Sequence, residues 1–216
     1  MLFALLLHAL ALVSLTTARP HITRQTACVT ANDLTSIAPD TASCDGAPFP
    51  EECATASVAA PNIEQSFGLF NINSFGAQAA LVAIMLFESG DFKYSKNHFP
   101  GVAGQGTRNM QSPAFNAKYA SWIAANGGGS SITAESVAAA SNDPATLLSS
   151  INTDKWGFAS AAWFLATQCG ATQVQELSDG SQASFESYLT GCVGTTVTDD
   201  RIAGWKKVIA LSGWSS

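Results

Sequence analysis

The 23 residues from Gln65 to Phe87 carry no charged side chain, and Glu88 follows them directly. The last part of that run, Ala79-Ala80-Leu81-Val82-Ala83-Ile84-Met85-Leu86-Phe87, is unbroken apolar sequence. A stretch of this kind has to leave water, so it constrains the fold before any other feature does. Phe75, Ala79, Val82 and Leu86 fall on one stripe at helical spacing, and Leu81, Ile84 and Met85 carry the apolar surface round to other faces. The pattern predicts a helix over about Phe75–Glu88, buried nearly all round, at the centre of a mostly α domain. Gly76 and Gln78 interrupt it too early for a membrane span, which takes about 20 apolar residues.

Most of the remaining chain also reads as helix. Pro61 suits the first turn of a helix carrying Ile63, Phe67 and Phe70. Ser112-Pro113 starts another, through Asn126, with Phe115, Tyr119, Trp122 and Ile123 as its apolar side. Gly127 to Ser131 reads as a flexible connector. Asp143-Pro144 caps a short helix with Leu147, Leu148 and Ile151, and Phe158 to Cys169 is a further buried helix. Thr172-x-x-Gln175 has the form of a capping box, and helices over Ser184–Leu189 and Asp199–Leu211 complete the set. The exception is Gly90 to Gln111. With Gly90, Pro100, Gly101, Gly104 and Gly106 among polar side chains, it predicts an irregular loop or short hairpin lining a cleft.

The first 18 residues hold no charge except His8 and are dominated by Leu and Ala, which reads as a secretory signal peptide. A secreted, extracellular protein is expected. Residues 19–60, rich in Thr, Ala, Pro and Cys, read as a tail and a disulfide-pinned, loop-rich segment, and residues 61–216 as one catalytic domain. All five cysteines follow residue 18, and in an oxidising compartment they should pair with one left over. Cys169 and Cys192 stand alone in the second half. Cys44–Cys53 is the shortest closure in the first half, and Cys28 is able to replace either. The net charge of −6 argues against nucleic acid, no segment after the leader argues for a membrane, and a monomer is the expected form. Neither cysteine nor histidine spacing resembles a metal site, and no cofactor is expected.

An acid at the C-terminal end of a buried helix meets both desolvation and the negative end of the helix dipole. Both favour a retained proton, which suits a general acid for glycosidic bonds. The competing reading is the solvated end of a core helix. Phe87-Glu88-Ser89-Gly90, followed by Gly104-Gln105-Gly106-Thr107-Arg108-Asn109-Met110-Gln111, resembles the lysozyme-like superfamily. The similarity is to soluble lytic transglycosylases and goose-type lysozymes, in which a helix ends in Glu-Ser and a Gly-rich turn ending in Met-Gln follows some twenty residues later. The secreted, Cys-containing, Ala-rich setting resembles fungal secreted muramidases. The resemblance covers mainly Pro61 to Gln111. It implies a lysozyme-like single domain, with a buried central helix ending in the catalytic Glu and a small irregular or β loop region.

By that resemblance Glu88 is the general acid and Gln111 lines the cleft near the reacting sugar. The glycines at 104 and 106 let backbone approach substrate. Gln105, Arg108 and Asn109 are polar sugar contacts, or else pins for the loop. Hydrolysis with two acids needs a second carboxylate roughly 5 to 9 Å away. No Asp or Glu occurs between Asp91 and Glu135, so the partner is Asp91, a more distant Asp154, or neither. With neither, one glutamate serves as acid and then base, as in lytic transglycosylases. Tyr94, Phe99, Trp122, Trp156 and Trp163 are able to stack on sugars, with Tyr94 in the polar loop the best placed. No Gly-x-Ser-x-Gly turn, phosphate loop or dinucleotide fingerprint is present. The expected activity is cleavage of β-1,4 bonds between N-acetylmuramic acid and N-acetylglucosamine in peptidoglycan. Chitosan, chitin or mannan are alternative polymers, and a non-catalytic carbohydrate-binding protein is the alternative of another class.

Overall fold

The uncharged run folds as a helix over Phe75–Ser89 (α3) in the computed structural model, which describes residues 28–127 and 131–215. The signal segment 1–18, the tail to residue 27 and the middle of the 127–131 connector lie outside the described residues. Ser74 caps α3 through the Ala77 N–H, and Gly90 ends it in the left-handed conformation at φ 55°. Every residue from Ala79 to Leu86 is buried. Each of its large aliphatic side chains contributes about 1.5–3 kcal/mol by leaving water.

Two further helices are Ala31–Ile37 (α1) and Ala56–Leu69 (α2). Four more follow α3: Pro113–Ala125 (α4), Ala134–Ala139 (α5), Pro144–Ile151 (α6) and Asp154–Phe164 (α7). The chain ends with Ala171–Leu177 (α8), Gln182–Ser187 (α9) and Asp199–Ile209 (α10). The fold is thus mostly α. Among the described residues the only β pairing is isolated, Lys96 with Gly106 and Gly106 with Gln111. α10 lies along α3, α7 along α2, and α8 crosses α3. That last crossing is tight. A Cβ on Gly76 would stand 2.3 Å from the Leu177 carbonyl oxygen and 2.7 Å from the Gly180 nitrogen.

Three local expectations are corrected. α2 begins at Ala56, so Pro61 lies inside it and a boundary at residue 60 cuts the helix. Pro61 has no N–H to give the Ser57 carbonyl, a loss offset by burial of Ala59, Ala60, Ile63 and Phe67. Thr172 is no cap: α8 starts at Ala171 behind Gly170, with no side-chain cap. The helix expected to run to Cys169 is α-helical only to Phe164 and then widens into a π turn over Leu165–Cys169. A second π turn, Tyr188–Val193, extends α9. The disulfide Cys169–Cys192 joins the two π turns. Cys44–Cys53 closes the N-terminal segment, and Cys28 belongs to neither bridge.

That segment is more ordered than its composition suggests. Thr30 and Asp33 form a reciprocal capping box on α1, and the Asp33 carboxylate also accepts from the Ser215 N–H and hydroxyl near the other chain end. Replacing Gly76 with Ala should lower stability by about 1–3 kcal/mol through overpacking against backbone that cannot retreat. Thermal unfolding measures it, and an unchanged midpoint would contradict the tight α3–α8 crossing.

Candidate functional site

Glu88 and Ser89 have opposite fates at the end of α3. Ser89 is fully buried: its hydroxyl donates to the Met85 carbonyl at 2.6 Å and accepts from the Phe92 N–H at 3.0 Å. The serine therefore turns the chain out of the helix. Asp91 and Phe92 follow Gly90 at φ 54° and 65°, so three consecutive residues are left-handed. For a phenylalanine this backbone is strained. Phe92 is held by full burial, an edge contact with Phe158 at 5.2 Å, and its carbonyl, which accepts from Ala54 N–H and Arg108 Nη1. The turn leaves Glu88 partly exposed, its side chain 20% accessible.

Glu88 lines a cavity of about 210 Å³ with Tyr94, Lys96, Asn97, His98, Phe99, Gln105 and Met110. A second cavity, of about 190 Å³, shares Gln105 and Met110 with it. Its walls are apolar at Ile84, Phe115, Phe164 and Val193, with Asn109, Gln111, Ser112 and Tyr188 as polar points. Together they form a cleft along the loop from Gly90 to Gln111, as that segment's composition suggested. Burial, followed by the nearby Glu88 charge, pushes the Tyr188 phenol above its ordinary value.

The N-terminal segment holds the cleft loop. The buried Glu52 carboxylate accepts from the Ser95 and Lys96 N–H groups at 3.0 and 3.1 Å and pairs with His98 Nε2 at 2.9 Å. Its neighbour Cys53 is bridged to Cys44. Lys93 Nζ donates to the Asp40 and Ser43 carbonyls in the same segment. His98 stacks on Phe49 with ring centres 3.6 Å apart, and Tyr94 lies 5.9 Å from both rings. Phe99 stands 81% exposed at the rim. Aromatic faces beside amide side chains are what sugar rings and their hydroxyls bind.

Of the expected site residues, Tyr94, Gln105, Asn109 and Gln111 line the cleft with Glu88. Gln105 is also a brace, accepting from Asn97 Nδ2 and donating to the Met110 carbonyl. Gln111 is buried, with its amide N–H on Asn116 Oδ1 at 2.9 Å and its Oε1 without a partner among the described residues. Asn109 Oδ1 is taken up by the Thr107 and Ser160 hydroxyls.

Arg108 is not a sugar contact. It is buried, with Nη1 on the Phe92 and Tyr94 carbonyls and its guanidinium over the Phe158 ring. Burial lowers it to about 10, opposed by Asp154 and Glu52, so it remains a cation that pins the loop. Gly104 and Gly106 likewise make room for protein and not for substrate. A Cβ on Gly104 would meet Pro144 at 2.4 Å, and one on Gly106 would meet the Ser95 carbonyl oxygen at 2.5 Å.

Asp91 lines a different depression, with Asp40, Phe87 and Lys207. Burial and then the Asp40 charge raise its carboxyl above the ordinary value, with Lys207 and Lys93 opposing. Asp154 is exposed in the first turn of α7. Among the described residues Glu88 is therefore the one carboxylate lining the two cleft cavities. Trp156 and Trp163 are core residues, and Trp122 packs on Phe70.

Arg201, in the first turn of α10, is not among the expected site residues. Its Nη1 donates to Glu88 Oε1 at 2.6 Å, and its guanidinium lies 4.2 Å from the Phe87 ring centre. The available signal was a cation in the first helical turn, just after Asp199-Asp200, where the dipole disfavours positive charge. Lys96, Asn97 and Met110 were missed because the loop's path depends on Glu52.

No family model matches this chain, and no solved structure matches it. It is similar to a bifunctional dioxygenase–epoxy alcohol synthase of Fusarium oxysporum, at 38% identity over 152 residues. Those residues are 70% of this chain and 12% of that protein, so the chain spans a small part of its length.

Burial raises the Glu52 carboxyl, but the Ser95 N–H, His98 and Lys96 together outweigh it and hold it below the ordinary 4.5. A carboxyl depressed in the folded state stabilises the fold above its unfolded value and loses that effect as pH falls through its folded value. Glu52→Gln is thus expected to cost about 1–3 kcal/mol at neutral pH. The gap to wild type should close below pH 4.5, the ordinary carboxyl value. Denaturant unfolding across pH measures both, and a gap that persists in acid would contradict the clamp.

Proposed function

We propose that this chain is a secreted, lysozyme-like glycan-cleaving enzyme with Glu88 as general acid and bacterial peptidoglycan as substrate. The observation that carries the reading is Glu88 as the one carboxylate, among the described residues, in a cleft walled by aromatic rings and amides. The mostly α fold, with its buried central helix ending in Glu-Ser, supports the lysozyme-like assignment. The two disulfides support an oxidising, extracellular setting. Among the described residues no helix is long and apolar enough to cross a membrane.

In this mechanism Glu88 gives its proton to the glycosidic oxygen as the C1–O bond breaks, and the bonding electrons leave with that oxygen. The sugar left behind has oxocarbenium character. The carboxylate of Glu88 then accepts a proton from the group that captures C1. With Asp91 turned into another depression, no second carboxylate stands ready to attack C1. Capture falls to water, which gives a reducing end, or to the sugar's own hydroxyl, which gives a 1,6-anhydro end as in lytic transglycosylases. The placement of Asp91 favours either of these over a covalent two-carboxylate route.

The relative's name describes oxygenase and epoxy alcohol synthase chemistry in a protein of which this chain matches 12%. That share carries neither activity to this chain.

Lysis of a bacterial cell suspension should be lost in Glu88→Gln by at least about 100-fold, as expected for removal of a general acid. Asp91→Asn is expected to retain activity. Binding of glycan by both wild type and Glu88→Gln without lysis would sink the enzyme reading, and release of sugars from chitosan alone would sink the substrate. Mass spectrometry of the products distinguishes the reducing from the anhydro end.

A further inference from the structure

Glu88 uses its two oxygens differently. Oε1 accepts from Arg201 Nη1 at 2.6 Å, in an ion pair whose side chains are only 13% and 20% accessible. Oε2 has no hydrogen-bond partner among the described residues, while the side chain as a whole lines the cleft. Arg201 is not among the residues that line either cavity, and its guanidinium is fixed from another side by the Phe87 ring.

We infer that Arg201 is the positioning residue of the Glu88 site: it selects Oε2 as the proton-bearing oxygen and stabilises the carboxylate as that proton leaves. This rests on Glu88 being the general acid. An oxygen already accepting an N⁺–H bond is a poor place for a proton, so the acid form carries its O–H on Oε2. Proton transfer to the glycosidic oxygen then leaves a carboxylate whose new charge lies beside a cation. A charge-assisted bond strengthens as that charge develops, so Arg201 acts on the transition state more than on the resting acid. The proton passes to the leaving oxygen, the C1–O electron pair goes with it, and Arg201 keeps its own protons throughout.

The other titratable groups around Glu88 are Tyr188 of the π turn and Tyr94, Lys96 and His98 of the cleft loop. Asp199 and Asp200 share the first turn of α10 with Arg201. Lys96 and His98 are already engaged by Glu52. Arg201 is the cation that bonds Glu88 directly.

The test is Arg201→Met beside Arg201→Lys, with glycan cleavage followed across pH. In Arg201→Met, kcat should fall about tenfold to hundredfold, as for loss of one charged hydrogen bond, with KM within about twofold. The alkaline limb of kcat/KM should move to higher pH, because an acid without its cation holds its proton longer. Added guanidinium should restore part of kcat. Arg201→Lys should keep the limb near wild type while losing part of kcat, and it also serves if the methionine variant does not fold. An unmoved limb with unchanged kcat overturns the proposal, as does a rise in KM alone. If the wild type cleaves no glycan, the enzyme reading has failed, and a carbon-13 NMR titration of the Glu88 carboxyl still decides this one. An upward midpoint in Arg201→Met supports control of Glu88 by Arg201, and an unmoved midpoint overturns it.

Discussion

Burial of α3 on nearly every side is the constraint from which the rest of this structure follows. A helix with almost no polar face needs neighbours all round, and here α7, α8 and α10 supply them. Between Ala79 and Leu86 the helix is wholly covered, and it meets water again at its C-terminal end. Glu88 stands at that end, with Ser89 spending both its hydrogen bonds on turning the chain away. The acid's partly exposed position is thus a consequence of how completely the part of α3 before it is covered.

The cleft beside it depends on a second, polar constraint. The loop after α3 has almost no regular secondary structure, so its backbone groups need partners elsewhere. Glu52 and Arg108 provide several of them, a buried carboxylate on two N–H groups and a buried guanidinium on two carbonyls, while the Lys93 ammonium donates to two carbonyls of the N-terminal segment. The Glu52 and Lys93 bonds join the N-terminal segment to the cleft wall, and the Cys44–Cys53 bridge holds the segment that carries Glu52. The disulfide-pinned region is therefore part of the site's scaffold. On the opposite wall the two π turns and the Cys169–Cys192 bridge hold Tyr188 and Val193.

Much of the helical frame was legible because apolar periodicity and caps are local signals. α3 and α4 start and stop within about two residues of the expected Phe75–Glu88 and Ser112–Asn126, and α6 starts directly behind Asp143. The departures have local causes as well. Pro61 sits inside α2 because burial outweighs one missing hydrogen bond, and the π turns follow from no simple residue pattern. Cys169–Cys192 was legible as the pair standing alone in the second half, whereas spacing left Cys28, Cys44 and Cys53 open until the fold brought Cys44 to Cys53. For the loop, composition indicated irregularity and a cleft, but not which side chains face inward. Arg108 illustrates the limit: an arginine in a polar loop reads as a surface contact until two carbonyls and a phenyl ring are found around it.

By itself the sequence determined a mostly α domain built on one buried helix, an acid at that helix's end, and a polar loop after it. These depend on hydrophobic periodicity and chain order, which act over a few residues. Only the tertiary structure decided that Asp91 faces away from Glu88, that Arg108 and the two glycines serve the loop and not a ligand, and that Arg201 bonds the acid. Glu88 and Arg201 lie 113 residues apart in the chain. No local pattern encodes such a pairing; it exists because α10 must cover α3, and that packing brings a guanidinium to the carboxylate.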